Sequence, residues 1–305
     1  MTAEHPGFAD QFADIADVVH RLDRVDYLVD EGMATALYLA TTLGQPLLLE
    51  GEPGVGKTTA AKALALALDT PLFRLQCYEG LTVGESIYEW NYQRQLLAIR
   101  TAEASAQAPT NAGLFTEEFL QERAILRAVR YAGPRPPVLL IDEIDRADDE
   151  FEALLFEFLG ESSVTVPELG TFTAERRPIV VLTSNRSREL HDALRRRCLY
   201  HWIDFPARQR AADIVRRSVP FANDALVRST TEFVGRVRGL ALDLDKSPGM
   251  AEAIDWVAAL SALGVSELVR PDIVRTLGSI AKTLDDRTVI LGALGDLGYE
   301  EPASA

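Results

Sequence analysis

The chain has 305 residues, 47% of them hydrophobic, enough to bury a substantial core in one large domain and a smaller one. With 31 basic residues against 46 acidic the net charge is −15 at pH 7, which disfavours general binding to nucleic acid or anionic lipid outside local basic clusters. The two cysteines, Cys77 and Cys198, each lie beside a short apolar run and read as buried thiols of a cytosolic protein, not as a disulfide framework or a metal site.

Acids stand among the first apolar residues (Glu4, Asp10, Asp14, Asp17), no cationic leader precedes them, and no later apolar run approaches membrane-spanning length. A soluble, cytoplasmic protein without a membrane span is expected. Apolar residues recur at helical spacing over 15–28 and 33–43, until Gly44 and Pro46 break the pattern. A short apolar run at 47–49 then leads into Gly-Glu-Pro-Gly-Val-Gly-Lys-Thr at 51–58 and an alanine-rich helical stretch. Strand, glycine loop and helix in that order make a nucleotide-binding P-loop. Backbone N–H groups freed by Gly51, Gly54 and Gly56, with Glu52, Pro53 and Val55 between them, wrap the phosphates; Lys57 reaches the β and γ oxygens; Thr58, followed by Thr59, offers its hydroxyl to Mg²⁺. ATP and Mg²⁺ are the cofactors this pattern implies.

Further strand-like runs at 72–77, 138–141, 179–183 and 199–203 alternate with helical or looped segments, the signature of a parallel α/β sheet with ligands at the carboxyl ends of its strands. Alternating aromatics Tyr88, Trp90 and Tyr92 predict a hairpin over 87–100, and β-branched residues around Pro167 and Gly170 predict another over 162–173. The three aromatics either grip a partner or cover a small core of their own. After Pro206 only helical periodicity continues, to about residue 290, with breaks near Pro220, Pro248 and Pro271. The expected division is an α/β nucleotide domain over 1–207 and a helical domain over 208–305, with 302–305 frayed.

Residues 138–146, Val-Leu-Leu-Ile-Asp-Glu-Ile-Asp-Arg, form an apolar strand that delivers two adjacent carboxylates at its end. Asp142 suits Mg²⁺ in its outer shell, and Glu143 suits the orientation and deprotonation of a water attacking a γ-phosphate. That pair points to hydrolysis, because a phosphotransferase has less use for a water-activating Glu. Asp145, Asp148 and Asp149 read as a solvated helix start at the positive end of a dipole. The strand over 179–183 ends in Ser184 and Asn185, and Asn185 can bond both the attacking water and the γ-phosphate. Residues 191–198 read as a helix ending in Arg195, Arg196 and Arg197; alone, that cluster is a solvated helix C-terminus.

Taken in order, Gly-Glu-Pro-Gly-Val-Gly-Lys-Thr, Leu-Leu-Ile-Asp-Glu-Ile-Asp-Arg-Ala, Leu-Thr-Ser-Asn and Ala-Leu-Arg-Arg-Arg-Cys, ahead of a helical tail, resemble the AAA+ ATPases of the MoxR group over about residues 25–275. Leu-Gln-Cys-Tyr-Glu-Gly, Tyr-Glu-Trp-Asn-Tyr and Arg-Arg-Arg-Cys-Leu-Tyr-His-Trp-Ile-Asp-Phe-Pro look most like the subgroup encoded beside von Willebrand factor A domain proteins. Some of that subgroup are linked to maturation of the metal site of carbon monoxide dehydrogenase. The resemblance implies a P-loop NTPase αβα sandwich followed by a small all-helical lid. It also implies a homo-oligomeric ring, usually a hexamer, in which an arginine reaches the neighbouring subunit's γ-phosphate. Arg197 matches that register first and Arg196 second; a guanidinium supplied in trans neutralises charge on the transferred phosphoryl group.

The resemblance also implies a lid arginine in a Ser-Pro-Arg segment, where this chain has Ser247-Pro248-Gly249. Lys246 is the candidate substitute, set against an ordinary surface lysine. Tyr27, Leu28 and Val29 are the family-based adenine contacts, set against ordinary core. The implied function is an ATP-driven chaperone that remodels a protein client with a von Willebrand factor A domain adaptor. The alternatives are a nucleic-acid motor or loader, disfavoured because 162–173 holds no Lys or Arg, and a small-molecule kinase, disfavoured by Glu143, Asn185 and the arginine run.

Overall fold

The computed structural model describes residues 11–104, 111–240 and 242–300; the acids Glu4 and Asp10 and the frayed end expected at 302–305 lie outside the described residues. The chain divides into two units. One takes in the described residues up to Glu50 and Lys57–Trp202, the other Gly51–Gly56 and the described residues from Ile203 onward.

In the first unit, helices α1 (Ile15–Asp23) and α2 (Glu31–Leu43) precede strand β1 (Leu47–Gly51), helix α3 (Lys57–Ala67) and strand β2 (Leu72–Gln76). Helix α1 is shorter than the periodicity over 15–28 predicts: the chain turns through Asp26 at φ +60°, and Asp30 accepts from the Met33 N–H to cap α2. Then come α4 (Val83–Ile87), β3 (Tyr88–Trp90), α5 (Tyr92–Ala104), α6 (Asn111–Leu114), β4 (Leu120–Glu122), α7 (Ala124–Val129) and β5 (Val138–Asp142). The series closes with α8 (Asp149–Glu161), β6 (Ser163–Val166), β7 (Gly170–Thr173), β8 (Ile179–Ser184), α9 (Asp192–Arg195) and β9 (Leu199–Ile203).

Five strands form one sheet in the order β2-β5-β8-β1-β9, and β2, β5, β8 and β1 pair in parallel. The central strands β1, β5 and β8 are buried along their whole length, as parallel strands covered on both faces must be. Small residues Ala60, Ala61 and Ala63 of α3 are buried, while Phe151, Leu155 and Phe158 of α8 join Leu139, Ile141, Val180 and Leu182 in the core. Register aligns the strand ends: Gln76 lies opposite Asp142, and Glu50 opposite Ser184. Functional residues at the carboxyl ends of β5, β8 and β1 are thereby side by side.

The hairpin predicted over 87–100 is not formed. Its first strand pairs with β4 instead, and residues 92–104 are helical, because Asn91 caps the helix through an Oδ1 acceptor 3.0 Å from the Arg94 N–H, and Gln-Arg-Gln-Leu-Leu-Ala are good helix formers. Trp90 is core and packs edge-on against Tyr88 and Phe115, at 5.8 and 5.2 Å between ring centres, whereas Tyr92 is exposed. The hairpin over 162–173 is present as β6 and β7, turning into Gly170 at φ +93°.

In the second unit, α10 (Arg208–Ser218), α11 (Asp224–Gly239), α12 (Met250–Ala262), α13 (Arg270–Thr276) and α14 (Leu284–Gly292) close over a core centred on Trp256 and Phe233, whose rings meet edge-on at 5.3 Å. Pro271 opens α13 instead of breaking a helix, since a first-turn proline loses no internal hydrogen bond. Among the described residues, no helix is long and apolar enough to cross a membrane.

Candidate nucleotide site

The turn after β1 shows why its glycines are needed. Gly54 and Gly56 lie at φ +80° and +99°, the region that side-chain-bearing residues avoid, and a Cβ on Gly51 would stand 2.5 Å from the Ile203 carbonyl oxygen. These residues group with the second unit, where the Met250 N–H donates to the Gly54 carbonyl (3.1 Å) and Arg238 ion-pairs with Glu52. Arg238 also donates to the Pro248 carbonyl (3.0 Å) and lies 4.3 Å over the Phe205 ring. Lys246 is bound to Glu252 at 3.7 Å, and Glu252 caps α12 through the Gly249 N–H.

Lys57 and Thr58 open α3 in the first unit. Lys57 is only 7% exposed, and burial lowers its ammonium pKa against the opposing pull of Asp145, Asp142, Glu143 and Glu50. Four carboxylates around one buried lysine favour its charged form, and the P-loop lysine is the group that must carry a charge. The Thr58 hydroxyl lies 3.0 Å from Asp142 Oδ1. Both are hard oxygen donors, the ligand type magnesium selects, so these two residues fit that ion.

Asp142, 2% exposed at the end of β5, is surrounded by donors. Thr183 of β8 donates to Oδ1 at 2.5 Å, and Arg74 of β2 donates to Oδ2 through Nε (2.9 Å) and a terminal nitrogen (2.6 Å). Thr183 also accepts the Glu143 N–H at 2.9 Å, so one hydroxyl bridges the two acids. Glu143 follows the strand at φ +56°, a left-handed conformation that is uncommon outside glycine and turns its half-exposed side chain away from the sheet toward Arg146 (3.2 Å).

Asp145 corrects the sequence reading. It is 2% exposed, in a short 3₁₀ turn (Ile144–Arg146), and its Oδ2 accepts from the Ser187 N–H (2.8 Å) and hydroxyl (2.7 Å), while Oδ1 is buried with no hydrogen-bond partner. Only Asp148 and Asp149 match the expected helix start: Asp148 caps α8 by accepting from the Phe151 N–H, and Asp149 is exposed in its first turn. Asp145 and Ser187 lock the turn after β5 to the loop after β8, the loop that carries half-buried Asn185. Arg188 strengthens that link through the Ala147 carbonyl (3.1 Å) and buried Glu152. Nearby, Glu50 accepts from Ser184 and Tyr200, both at 3.1 Å. Burial first, then the Glu50 carboxylate, raises the Tyr200 phenol above its ordinary pKa.

The helix expected over 191–198 spans only α9, because Arg196 already caps it and the chain turns into β9. Arg196 is exposed and 3.7 Å from Asp192; Arg197 lies 3.8 Å over the Phe156 ring and donates to the Phe156 carbonyl at 3.2 Å. Tyr27, Leu28 and Val29 are half-buried between α1 and α2. Cys77 and Cys198 are free thiols, and burial pushes both up to about 12.

The structure thus brings Lys57, Thr58, Asp142, Glu143 and Asn185 to one edge of the sheet, and adds Asp145, which the sequence placed at a solvated helix start, with Arg74, Thr183 and Ser187, which it did not single out. Glu50 carries a signal in retrospect, a charge near the end of a buried apolar strand, and Arg74 a weaker one, the exposed middle residue of a partly buried edge strand.

A parallel sheet in this order, with a glycine loop after its fourth strand in spatial order and paired acids after its second, defines an AAA+ P-loop NTPase. A family profile described as "AAA domain (dynein-related subfamily)" matches residues 46–198, just over half of the chain, and the chain belongs to that family. The Lon protease of Treponema pallidum (strain Nichols) is 30% identical over 125 residues, a match that covers 41% of this chain and 12% of that protein. Domain III of the replication initiation protein DnaA from Thermotoga maritima superposes with a TM-score of 0.48 at 14% identity, covering 85% of this chain and 96% of that one. The RuvB Holliday junction branch migration motor of Thermotoga maritima gives 0.46 at 16% identity, covering 96% and 86%. At such identities the likeness says nothing of what the chain acts on.

Proposed function

We propose that the protein is an ATP-hydrolysing AAA+ chaperone of the MoxR type that remodels or activates a protein client with a von Willebrand factor A domain adaptor. In this reading it works as a homo-oligomeric ring, a hexamer, in the cytoplasm, with 208–305 as its lid. The observation that carries the hydrolytic part is the Asp142–Thr183–Glu143 bridge, which holds the Asp142 carboxylate and the Glu143 peptide at one strand end while the Glu143 carboxylate turns toward Arg146, and so supports different roles for the two acids.

A bound magnesium ion would supply charge neutralisation to the phosphates, and Thr58 and Asp142 are the residues that would hold it. Glu143 takes a proton from water as the water oxygen bonds to the γ-phosphorus; the bond from that phosphorus to the bridging oxygen breaks, and its electron pair leaves with ADP. Asn185 orients the water. Lys57, with its charge supported by Asp145 and Asp142, binds the phosphate oxygens. Arg197, held on the aromatic face of Phe156 within its own subunit, serves the neighbour's site.

The protein-client reading is supported by the net charge of −15, by a β6–β7 hairpin without Lys or Arg, and by exposed Tyr92, Leu96 and Leu97 on α5. Glu143→Gln protein, locked with ATP, used as bait in lysate from its own source tests it. Recovery of a von Willebrand factor A domain protein or a metalloenzyme subunit supports remodelling; recovery of nucleic acid with replication or repair proteins replaces it by the motor alternative.

A further inference from the structure

An ionised carboxylate offers about four lone-pair positions, and at Asp142 protein donors already occupy them. Thr183 (2.5 Å) and Thr58 (3.0 Å) lie against Oδ1, Thr58 also reaches Oδ2 (3.2 Å), and the Nε and terminal nitrogen of Arg74 (2.9 and 2.6 Å) donate to Oδ2. Thr58 and Thr183 are neutral, so Arg74 is the charged donor, beside the field of Lys57, to a carboxylate whose side chain is 3% exposed. Thr58 belongs to the expected metal-holding pair and Thr183 is 1% exposed, whereas the Arg74 side chain is 44% exposed. Of the donors to Oδ2, Arg74 is the one with room to leave.

That room is visible. Strand β2 is an edge of the sheet, and a cavity of about 390 Å³ beside it is lined by Arg74, Tyr78, Glu85, Glu122 and Arg123. Its two carboxylates are already engaged, Glu122 with Arg130 (3.0 Å) and Glu85 with Thr82, but the cavity opens beside the guanidinium, and Gln76 already accepts from a terminal nitrogen of Arg74.

We infer that Arg74 is a built-in counter-ion that competes with a divalent cation for the Asp142 carboxylate. Arg74 is therefore a residue that sets metal affinity, acting through Asp142. This rests on the nucleotide reading above. Like charges repel, so Arg74 weakens cation binding while stabilising the metal-free protein.

The test is Mn²⁺ binding to the ADP complex, counted by electron paramagnetic resonance of free Mn²⁺, in wild-type protein, Arg74→Met, Arg74→Gln and Arg74→Lys. Removing the charge in either neutral variant is expected to tighten Mn²⁺ binding about tenfold, while Arg74→Lys, which keeps it, stays within about threefold of wild type. In the absence of metal, Arg74→Met is expected to melt at a lower temperature than wild type and to gain more from Mn²⁺ with ADP. Arg74→Gln retains one donor to Asp142 and covers the case in which Arg74→Met does not fold. Uptake of Mn²⁺ by wild type that both neutral variants leave unchanged or weaken overturns the inference alone. No ADP-dependent uptake in any variant overturns the nucleotide reading and this inference with it.

Discussion

Thr183→Val is the perturbation that most directly tests how the two acids are held. Valine fills the same volume but removes the hydroxyl that donates to Asp142 Oδ1 (2.5 Å) and accepts the Glu143 N–H (2.9 Å). Thr183 is 1% exposed and Asp142 2%, so water does not replace the bond between them, while the Glu143 N–H sits in a part-buried contact. A buried polar group left without its partner costs about 1–3 kcal/mol, and Asp142 keeps Thr58 and Arg74, which places the total at roughly 2–4 kcal/mol, a thirty- to thousandfold change in the opening equilibrium. Amide hydrogen exchange on peptides spanning β5 and β8 reads this within the first unit, without assuming that the two units unfold together. Thr183→Ser, which keeps the hydroxyl, is expected to lose no more than about 1.5 kcal/mol, the scale of a single buried methyl. The same change to valine frees the left-handed peptide at Glu143 (φ +56°), so ATP turnover falls more than ATP binding. A Thr183→Val protein within about 0.5 kcal/mol of wild type would refute the bridge as an energetic element.

Three further outcomes are expected. Asp145→Asn removes the largest opposing charge from Lys57, whose pKa burial already lowers. The ammonium is present below its pKa and lost above it, so nucleotide affinity should decline at a lower pH than in wild type; coincident pH profiles for a fluorescent ADP analogue would count against it. Arg238→Ala removes the partner of Glu52 and a donor to the Pro248 carbonyl, and should weaken ADP binding by severalfold with a stability loss of about 1–2 kcal/mol. Lys246→Ala breaks only a 3.7 Å pair at a half-exposed side chain and should change either by little, about 0.5 kcal/mol at most; a larger loss in Lys246→Ala than in Arg238→Ala would favour Lys246 as the lid cation. Arg197→Ala should keep nucleotide and lose hydrolysis, with activity restored in mixed rings whose complementary face is intact; loss with Arg196→Ala and not Arg197→Ala would move the finger by one residue.

Much of the fold is written locally. Apolar runs at 47–49, 138–141 and 179–183 are strands because parallel strands buried on both faces need no polar alternation, and the glycine loop can be read because Gly54 and Gly56 must adopt positive φ. The sequence is less informative where a local pattern has two solutions. Tyr88, Trp90 and Tyr92 alternate like a strand, yet Asn91 starts a helix there, and the partner of β3 lies some thirty residues on, at β4. Asp145, Asp148 and Asp149 look alike as a string of acids. Only the loop after β8, folding back to place Ser187 against Asp145, separates the buried one from the two at the start of α8. Arg74 and Thr183 meet Asp142 across strand pairings that no local window contains.

The central claim is hydrolysis of ATP by a water that Glu143 deprotonates. Glu143→Gln keeps the shape and the backbone bond to Thr183 but not the base, so the measurement is ATP binding beside steady-state phosphate release for this variant and wild type. Unchanged ATP affinity is expected, with turnover reduced by about 10²–10⁴-fold. Turnover equal to wild type, or a wild-type protein that binds ATP and releases no phosphate in its assembled form, would contradict it.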